Sequence, residues 1–191
     1  MSESAFQSEL ARLVVDPDFR DRVRERGEAA LREDLSELER VRLVAIAKDP
    51  GIDVTRTLHK GFRLAKLLAW VPLTCAVIPR DVLAREVGNF WQQRPPVSFY
   101  FLEEAAAFCE YLLERVSSGL DVPYLVEVAA YERASLELQR ARPAGEVALP
   151  QVVDFLHDPE VLLASLARRE VPPELPEQAC RLIGVRTEGG V

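Results

Sequence analysis

Histidine and cysteine are scarce in this chain. Its 191 residues include two histidines and three cysteines. The cysteines, Cys75, Cys109 and Cys180, lie far apart and form no CxxC pair. A disulfide framework usually has an even number of cysteines, and a zinc site needs several closely placed ligands, so neither is expected. We therefore predict a chain with no metal site and no cofactor, folded in a reducing compartment.

Long apolar runs are also missing. The longest, "LLAWVPLTCAVIP", is too short to span a bilayer and contains Pro72. The first residues, "MSESAFQSEL", have neither the basic region nor the apolar core of a signal peptide. We expect a soluble, cytoplasmic protein with no membrane partner.

An excess of basic residues is absent too. The chain has 24 Lys and Arg against 31 Asp and Glu, a formal net charge of −7. Proteins that bind nucleic acid usually present a basic surface, because contacts to phosphate supply much of their affinity. The composition therefore argues against a nucleic-acid partner, although it leaves a local basic surface open.

No familiar catalytic motif occurs. The chain contains no glycine-rich phosphate loop, no GxSxG and no HExxH. The two histidines, His59 and His157, are far apart in the sequence, and each is expected to be an exposed polar residue. Cys109 shares a helical face with Ala105 and Phe108, which favours a packed thiol over a nucleophile. We predict no catalytic residue.

Helix signals cover the first two thirds of the chain. Asp16 followed by Pro17 is typical of a helix start, and "SELE", from Ser36 to Glu39, is a capping-box pattern. The helix that follows the capping box is expected to place four apolar residues in a core, namely Leu38, Val41, Val44 and Ile46.

A further helix, over about Thr55–Trp70, has two contrasting sides. One side is apolar and is expected to face the core: Leu58, Phe62, Ala65 and Ala69. The other side has a basic stripe that is expected to be exposed: Arg56, Lys60 and Arg63. Such a stripe is most often only solvated, but it is the best candidate in this chain for a cationic docking surface.

The pattern changes after Arg142. Two short β-branched segments, "GEVALPQVVDFLHD" and "ACRLIGVRTE", are typical of strands, and Asp158-Pro159 begins a helix between them. We therefore predict an α+β protein, with a mostly helical N-terminal body over residues 1–142 and a small C-terminal strand–helix–strand sheet within a subdomain over residues 143–191.

One helix contains a charge where an apolar residue is expected. In "PYLVEVAAYERASLEL", Glu132 lies on the same face as Leu125 and Leu136. A buried carboxylate needs a partner, and an arginine beneath the helix is the simplest one. A structural ion pair or hydrogen-bonded network is favoured over a contact with another protein or catalysis. Tyr124 and Tyr131 on this helix fit either core packing or a partner surface.

Five stretches occur together in an order that is typical of one family. They are "LARLVVDPDFRDRV", "DLSELERVRLVAIA", "WVPLT", "FWQQRPPVSFYFLEEAAAFCEYLLE" and "PYLVEVAAYERASLEL". Over about Phe6 to Arg142 the chain resembles small proteins encoded beside multinuclear non-haem iron-dependent oxidative enzymes. Those enzymes modify cysteines and other residues of ribosomally made peptides, and the relatives include the partner subunit of methanobactin biosynthesis.

This resemblance implies a non-catalytic subunit. In such systems the iron sites belong to the larger oxidase, and the small protein binds that oxidase and the leader of the precursor peptide. The resemblance also implies leader capture in the terminal region, where an extended peptide can add to a small sheet as a further strand. Because Pro150 cannot donate, the expected peptide-binding residues are Gln151, Val152, Val153, Asp154 and Phe155.

The surface that binds the oxidase is expected at charged and aromatic residues. The candidates are the basic stripe and the two tyrosines, Arg56, Lys60, Arg63, Tyr124 and Tyr131. The rival function is a DNA-binding regulator, because some members of the family are labelled as DNA-binding domains. The acidic balance and the lack of an obvious helix-turn-helix argue against that rival.

Overall fold

A computed structural model describes residues 3–94, 101–140 and 149–186. The helices are α1 (Glu3–Val15), α2 (Pro17–Arg26), α3 (Glu37–Lys48), α4 (Gly51–Trp70), α5 (Pro72–Val77), α6 (Arg80–Gln93), α7 (Phe101–Ser117), α8 (Leu125–Gln139) and α9 (Pro159–Ala167). The strands are β1 (Gln151–His157) and β2 (Glu177–Gly184), and a 3-10 turn covers Gly27–Ala30. The predicted α+β class with a mostly helical body is confirmed. Among the described helices, none has the length and apolarity needed to cross a membrane.

The helix starts that depend on local sequence are confirmed. Asp16 accepts a hydrogen bond from the N–H of Phe19 at 2.9 Å. Ser36 and Glu39 form the reciprocal capping box, in which the N–H of Ser36 donates to the Glu39 carboxylate at 2.8 Å. Asp158 caps α9 in the same way as Asp16 caps α2. Each cap involves residues within one turn, so the sequence alone specifies it.

The described contacts divide the chain into two compact units, Met1–Arg63 and Leu64–Val191. The first unit has its own apolar core, formed by Leu13, Phe19, Val23, Leu31, Leu35, Leu43, Ala47 and Ile52. Arg20 is also buried in this unit, where its guanidinium lies 3.2 Å from the Asp53 carboxylate. The division differs from the expected boundary at residue 142.

The expected core row of α3 is wrong for its first two members. Leu38 and Val41 are exposed, and the fully buried residues are Leu43 and Ala47 on another side of the helix. The other two members are partly buried, namely Val44 and Ile46. Because α3 has apolar residues on more than one side, its periodicity does not determine which side faces the core.

The expected orientation of α4 is also wrong. Leu58 and Phe62 are 68% and 52% exposed. The two alanines of the same row are exposed as well, namely Ala65 and Ala69. The buried row instead contains Arg63 and Leu67, at 5% and 1% exposure. An arginine can occupy a buried row because its long apolar stem packs against neighbouring side chains.

The second unit is built around α7 and α8. Phe90, Phe108 and Tyr111 form an aromatic cluster in its core, with ring centroids 5.2 Å apart for the first two. Val153 and Phe155 of β1 are buried in the same core. The strand–helix–strand segment therefore shares a core with the helices that precede it.

The two strands form an antiparallel sheet. Phe155 pairs with Cys180 and His157 pairs with Glu177. Only Leu156 lies between the two β1 residues, whereas two residues lie between their partners on β2. The irregularity therefore belongs to β2, and β1 is an unbroken strand. Residues 145–148, the first part of the expected strand segment, lie outside the described residues.

Candidate functional site

The side chains of β1 alternate between two faces of the sheet. Val153 and Phe155 point into the core of the second unit, and Val152 and Leu156 are 54% and 59% exposed on the opposite face. The Asp154 side chain lies between them and is 71% exposed. This alternation is what a strand with one buried face requires, and it fixes the register of β1 on the helices.

One edge of β1 has no strand beside it within the described residues, where β1 pairs only with β2. The N–H of His157 donates to Glu127 Oε2 of α8 at 3.3 Å, so it is directed to α8. As whole residues, Val153 and Phe155 are only 6% and 1% exposed, so their backbone groups are buried together with their side chains. The exposed residues of β1 are Val152, Asp154 and Leu156.

A cross-strand ion pair lies at the centre of the exposed face. Arg181 Nε donates to Asp154 Oδ1 at 2.6 Å, from the position directly opposite on β2. This hydrogen bond and the charge of Asp154 raise the pKa of Arg181. The second carboxylate oxygen, Asp154 Oδ2, has no hydrogen-bond partner among the described residues. It can accept a donor from the open side of β1.

A hydrogen-bonded cluster holds the end of β1 against α8. His157 Nδ1 lies 2.7 Å from Glu127 Oε1, and the ring of Tyr124 meets the imidazole edge-on with centroids 4.9 Å apart. The Tyr124 hydroxyl donates to the carbonyl of Pro173 at 2.8 Å and accepts from the N–H of Leu175 at 3.0 Å. The expectation that His157 is an exposed polar residue is therefore wrong, because Glu127 draws it into this cluster.

The two tyrosines proposed as partner contacts both pack within the second unit. Tyr124 has a left-handed backbone, with φ of 64°, a conformation that costs a non-glycine residue about 1–2 kcal/mol. Its two hydroxyl bonds help to hold it there. The ring of Tyr131 meets that of Phe155 at 6.2 Å, beneath β1. Tyr131 packs against Phe155 of β1, and Tyr124 packs against His157 at the end of β1. Both rings therefore have partners within the second unit.

Glu132 caps a helix that has no capping side chain of its own. Its Oε1 accepts from the N–H of Leu73 at 2.9 Å, and its Oε2 accepts from the N–H of Thr74 at 2.7 Å. These two N–H groups lie in the first turn of α5, after Pro72, and Val71 at the cap position offers no side-chain acceptor. Backbone donors therefore take the place of the arginine that the sequence had suggested.

The Glu132 carboxylate affects the ionisation of its surroundings. Burial raises its pKa, and the hydrogen bonds from Thr74 and Leu73 offset part of that effect. Burial, together with the charge of Glu132, raises the pKa of the Cys75 and Cys109 thiols to about 12. Both thiols are therefore protonated at neutral pH, and the prediction that Cys109 is a packed thiol is confirmed.

Another buried glutamate, Glu86, was missed in the sequence. Glu86 of α6 is fully buried, and it accepts hydrogen bonds from the Tyr111 hydroxyl and from Arg115 Nε, each at 2.9 Å. Burial alone would raise its pKa, but the bonds from Arg115, Tyr111 and Arg85 outweigh burial and lower it. Glu86 lies three residues after Leu83 and four before the buried Phe90, which is the same kind of helical spacing that identified Glu132.

The expected basic stripe is not a single exposed surface. Lys60 is exposed, whereas Arg63 is buried. The side chain of Arg56 lies outside the described residues. The arginine stem therefore contributes to packing, and the two described members of the stripe do not present their charges on one surface.

The described residues contain no group of three or more His, Cys, Asp and Glu side chains placed to hold a metal ion. No family model matches the chain, and it has no match among curated proteins or solved structures. The function is therefore argued from the residues of the second unit.

Proposed function

We propose that this chain is a non-catalytic accessory subunit that binds an iron-dependent peptide-modifying oxidase and recruits its ribosomally made precursor peptide. The observation that supports this most directly is β1, an unbroken strand whose open edge lies beside a buried and hydrogen-bonded framework. The resemblance of the sequence to oxidase partner proteins supplies the class of partner.

Leader capture would follow from the backbone of β1. An extended peptide that lies along the open edge gains main-chain hydrogen bonds with little demand on its sequence. The backbone groups of β1 that are not bonded to β2 are the expected partners. Because Val153 and Phe155 are buried, the strand is already fixed before the peptide arrives, which reduces the entropy lost on binding.

Such a subunit would contribute by holding the precursor peptide close to the oxidase. A leader held on β1, in a complex with the oxidase, keeps the rest of the precursor at a high local concentration near the enzyme. The residues of this chain bind and orient the peptide backbone, and the resemblance assigns the iron and the oxidation to the partner. The oxidase-binding surface lies elsewhere than on Tyr124 and Tyr131 in this proposal, because both tyrosines support β1.

Co-expression tests the partner. The gene neighbourhood is expected to encode an iron oxidase and a short precursor, and a tagged form of this chain should co-purify with that oxidase. Modification of the precursor should require the chain. If the oxidase is fully active on its precursor without the chain and does not bind it, the proposed function is wrong.

Amide hydrogen exchange measured by NMR tests the site. When the leader of that precursor is added, amides of β1 that are not bonded to β2 should exchange more slowly. Amides of α2, in the first unit, serve as the internal control. Leader binding that leaves every amide of β1 unchanged would exclude capture at β1.

A further inference from the structure

The exposed face of β1 has a definite chemical pattern. Along its open edge it presents Val152, Asp154 and Leu156, an apolar, an acidic and an apolar side chain, all more than half exposed. A strand added at this edge places its own alternate side chains directly beside these three. The face therefore imposes a requirement on side chains in addition to the backbone bonds.

Of the two strands, β1 offers the better edge. The irregular pairing between Phe155 and His157 puts the extra residue on β2, and such bulges interrupt the pairing of an edge. The large apolar side chains of β1 also lie on both sides of its charged residue. On β2, Ile183 lies on one side of Arg181 but only Ala179 lies on the other.

We propose that the segment captured by β1 alternates apolar, basic and apolar side chains, with the basic residue beside Asp154 and the apolar residues beside Val152 and Leu156. The inference rests on the proposed function, because it concerns the peptide that the subunit recruits. The pattern reads the same in both directions, so it holds for parallel and for antiparallel addition.

The charge requirement follows from the carboxylate of Asp154. Arg181 occupies Oδ1 at 2.6 Å, and Oδ2 has no partner among the described residues. A lysine or arginine on the added strand would reach Oδ2 and complete a row of alternating charges across three strands. An acidic residue there would put two carboxylates side by side. Each opposite-charge pair of this kind changes affinity by about twofold to fivefold.

The requirement for apolar residues in the peptide follows from the exposed apolar side chains of the sheet. Val152 pairs across the sheet with Ile183, which is 65% exposed, so the two form an apolar strip that ends at the open edge of β1. An apolar residue on the added strand extends this strip and removes apolar surface from water. A polar residue at that position gains no such burial.

An NMR titration of the full chain with synthetic peptides tests the rule. The probes are the nonapeptide Gly-Ser-Val-Thr-Lys-Thr-Val-Ser-Gly and versions with glutamate or serine in place of the lysine. We expect the lysine peptide to shift amides of β1 and to bind about threefold to tenfold more tightly than the glutamate peptide, with the serine peptide between them. A fourth peptide, with serine in place of both valines, should bind more weakly than the first.

A charge-swap variant provides the matched control. Asp154→Arg combined with Arg181→Asp retains the cross-strand pair and the net charge, and both positions are exposed, so the sheet should fold as before. The preference between the lysine and glutamate peptides should then reverse. If the three peptides bind β1 equally, or if the swap leaves their order unchanged, the side-chain rule is wrong while capture at this edge stands. If no peptide affects β1 and the precursor leader also fails to protect any amide of β1, both the rule and the proposed capture are wrong.

Discussion

Glu132 Oε2 accepts a hydrogen bond from the N–H of Thr74 at 2.7 Å, across 58 residues of sequence. The carboxylate of α8 thereby supplies the cap of α5, a helix of six residues. A helix this short is unstable by itself, because the cost of its first turn is not recovered over so few residues. The start of α5 therefore depends on a residue of another helix.

Removal of this carboxylate should destabilise the second unit. We expect Glu132→Ala to lower the free energy of unfolding by about 1–3 kcal/mol, because two buried N–H groups lose their acceptor. Glu132→Gln should cost less, since its amide oxygen can still accept. Urea denaturation followed by circular dichroism measures both. The exposed Glu170→Ala is the control, and equal stability of Glu132→Ala and Glu170→Ala would show that the cap contributes nothing.

Glu132 and Glu86, both buried, should give opposite pH dependences. The folded pKa of Glu132 is raised by burial, so between its ordinary pKa and its folded pKa the folded chain holds a proton that the unfolded chain has lost. Its contribution to stability therefore falls as pH rises through that window. The melting temperature of the chain relative to Glu132→Gln, measured over about pH 4 to 8, should decrease with pH.

Glu86 should behave in the opposite way. Bonds from Arg115 and Tyr111 outweigh burial and lower its folded pKa, so its contribution is present above the ordinary pKa and is lost as pH falls through the folded pKa. The melting temperature of the chain relative to Glu86→Gln should therefore decrease on acidification. Slopes of the same sign for the Glu86 and Glu132 comparisons would contradict this assignment.

The three thiols should differ in reactivity. Burial and the charge of Glu132 raise the pKa of Cys75 and Cys109 to about 12, whereas Cys180 is only partly buried. Iodoacetamide at neutral pH should therefore modify Cys180 first in the folded chain and all three thiols after denaturation. Mass spectrometry of the intact chain counts the additions. Cys180→Ser is the control, and rapid labelling of this folded variant would disprove the protection of the other two.

Mutations of Glu127 and His157 should have non-additive effects on stability. We expect a double-mutant cycle with Glu127→Gln and His157→Ala to give a coupling energy of about 0.5–3 kcal/mol, because the two side chains share a bond at 2.7 Å. Thermal or urea unfolding of the four proteins measures it. Purely additive effects would mean that the bond is not formed in solution.

The orientation of α4 can be tested with two leucines of the same helix. Leu58 is 68% exposed and Leu67 is 1% exposed. Leu58→Ser should therefore change the free energy of unfolding by less than about 0.5 kcal/mol. Leu67→Ala should lower it by about 2–5 kcal/mol, since it leaves a cavity in the core. A large loss from Leu58→Ser alone would restore the orientation expected from sequence.

Features that depend on neighbouring residues could be predicted from the sequence. The caps at Asp16, Ser36 and Asp158 were correct because each involves donors within one turn of the residue. The strand–helix–strand order at the C-terminus was also correct, because β-branched residues and a proline at the helix start give a strong local signal.

The choice of buried face could not be made in the same way. α4 has one row with Leu58 and Phe62 and another with Leu64 and Leu67, and both satisfy helical periodicity. Only packing against other elements distinguishes them, and the buried row includes Arg63. A rule that assigns every charge to the exposed side therefore gives the wrong answer.

The partner of a buried charged side chain could not be predicted from the sequence either. The sequence places Glu132 on an apolar face, which suffices to predict that it needs a partner. Its carboxylate oxygens accept hydrogen bonds from the backbone N–H groups of Leu73 and Thr74. The residue types along the chain do not indicate which backbone group will be the partner. Glu86 gave the same signal, and its partners Tyr111 and Arg115 are recognisable only after α6 and α7 are packed.

The N–H of His157 donates to Glu127 Oε2, and Nδ1 of the same residue lies 2.7 Å from Glu127 Oε1. The last residue of β1 is therefore joined to α8 through both its backbone and its ring, and this end of the strand cannot leave α8 without losing both contacts. In the proposed function, a peptide held by the sheet would thus have one end of its supporting strand at a fixed position on α8.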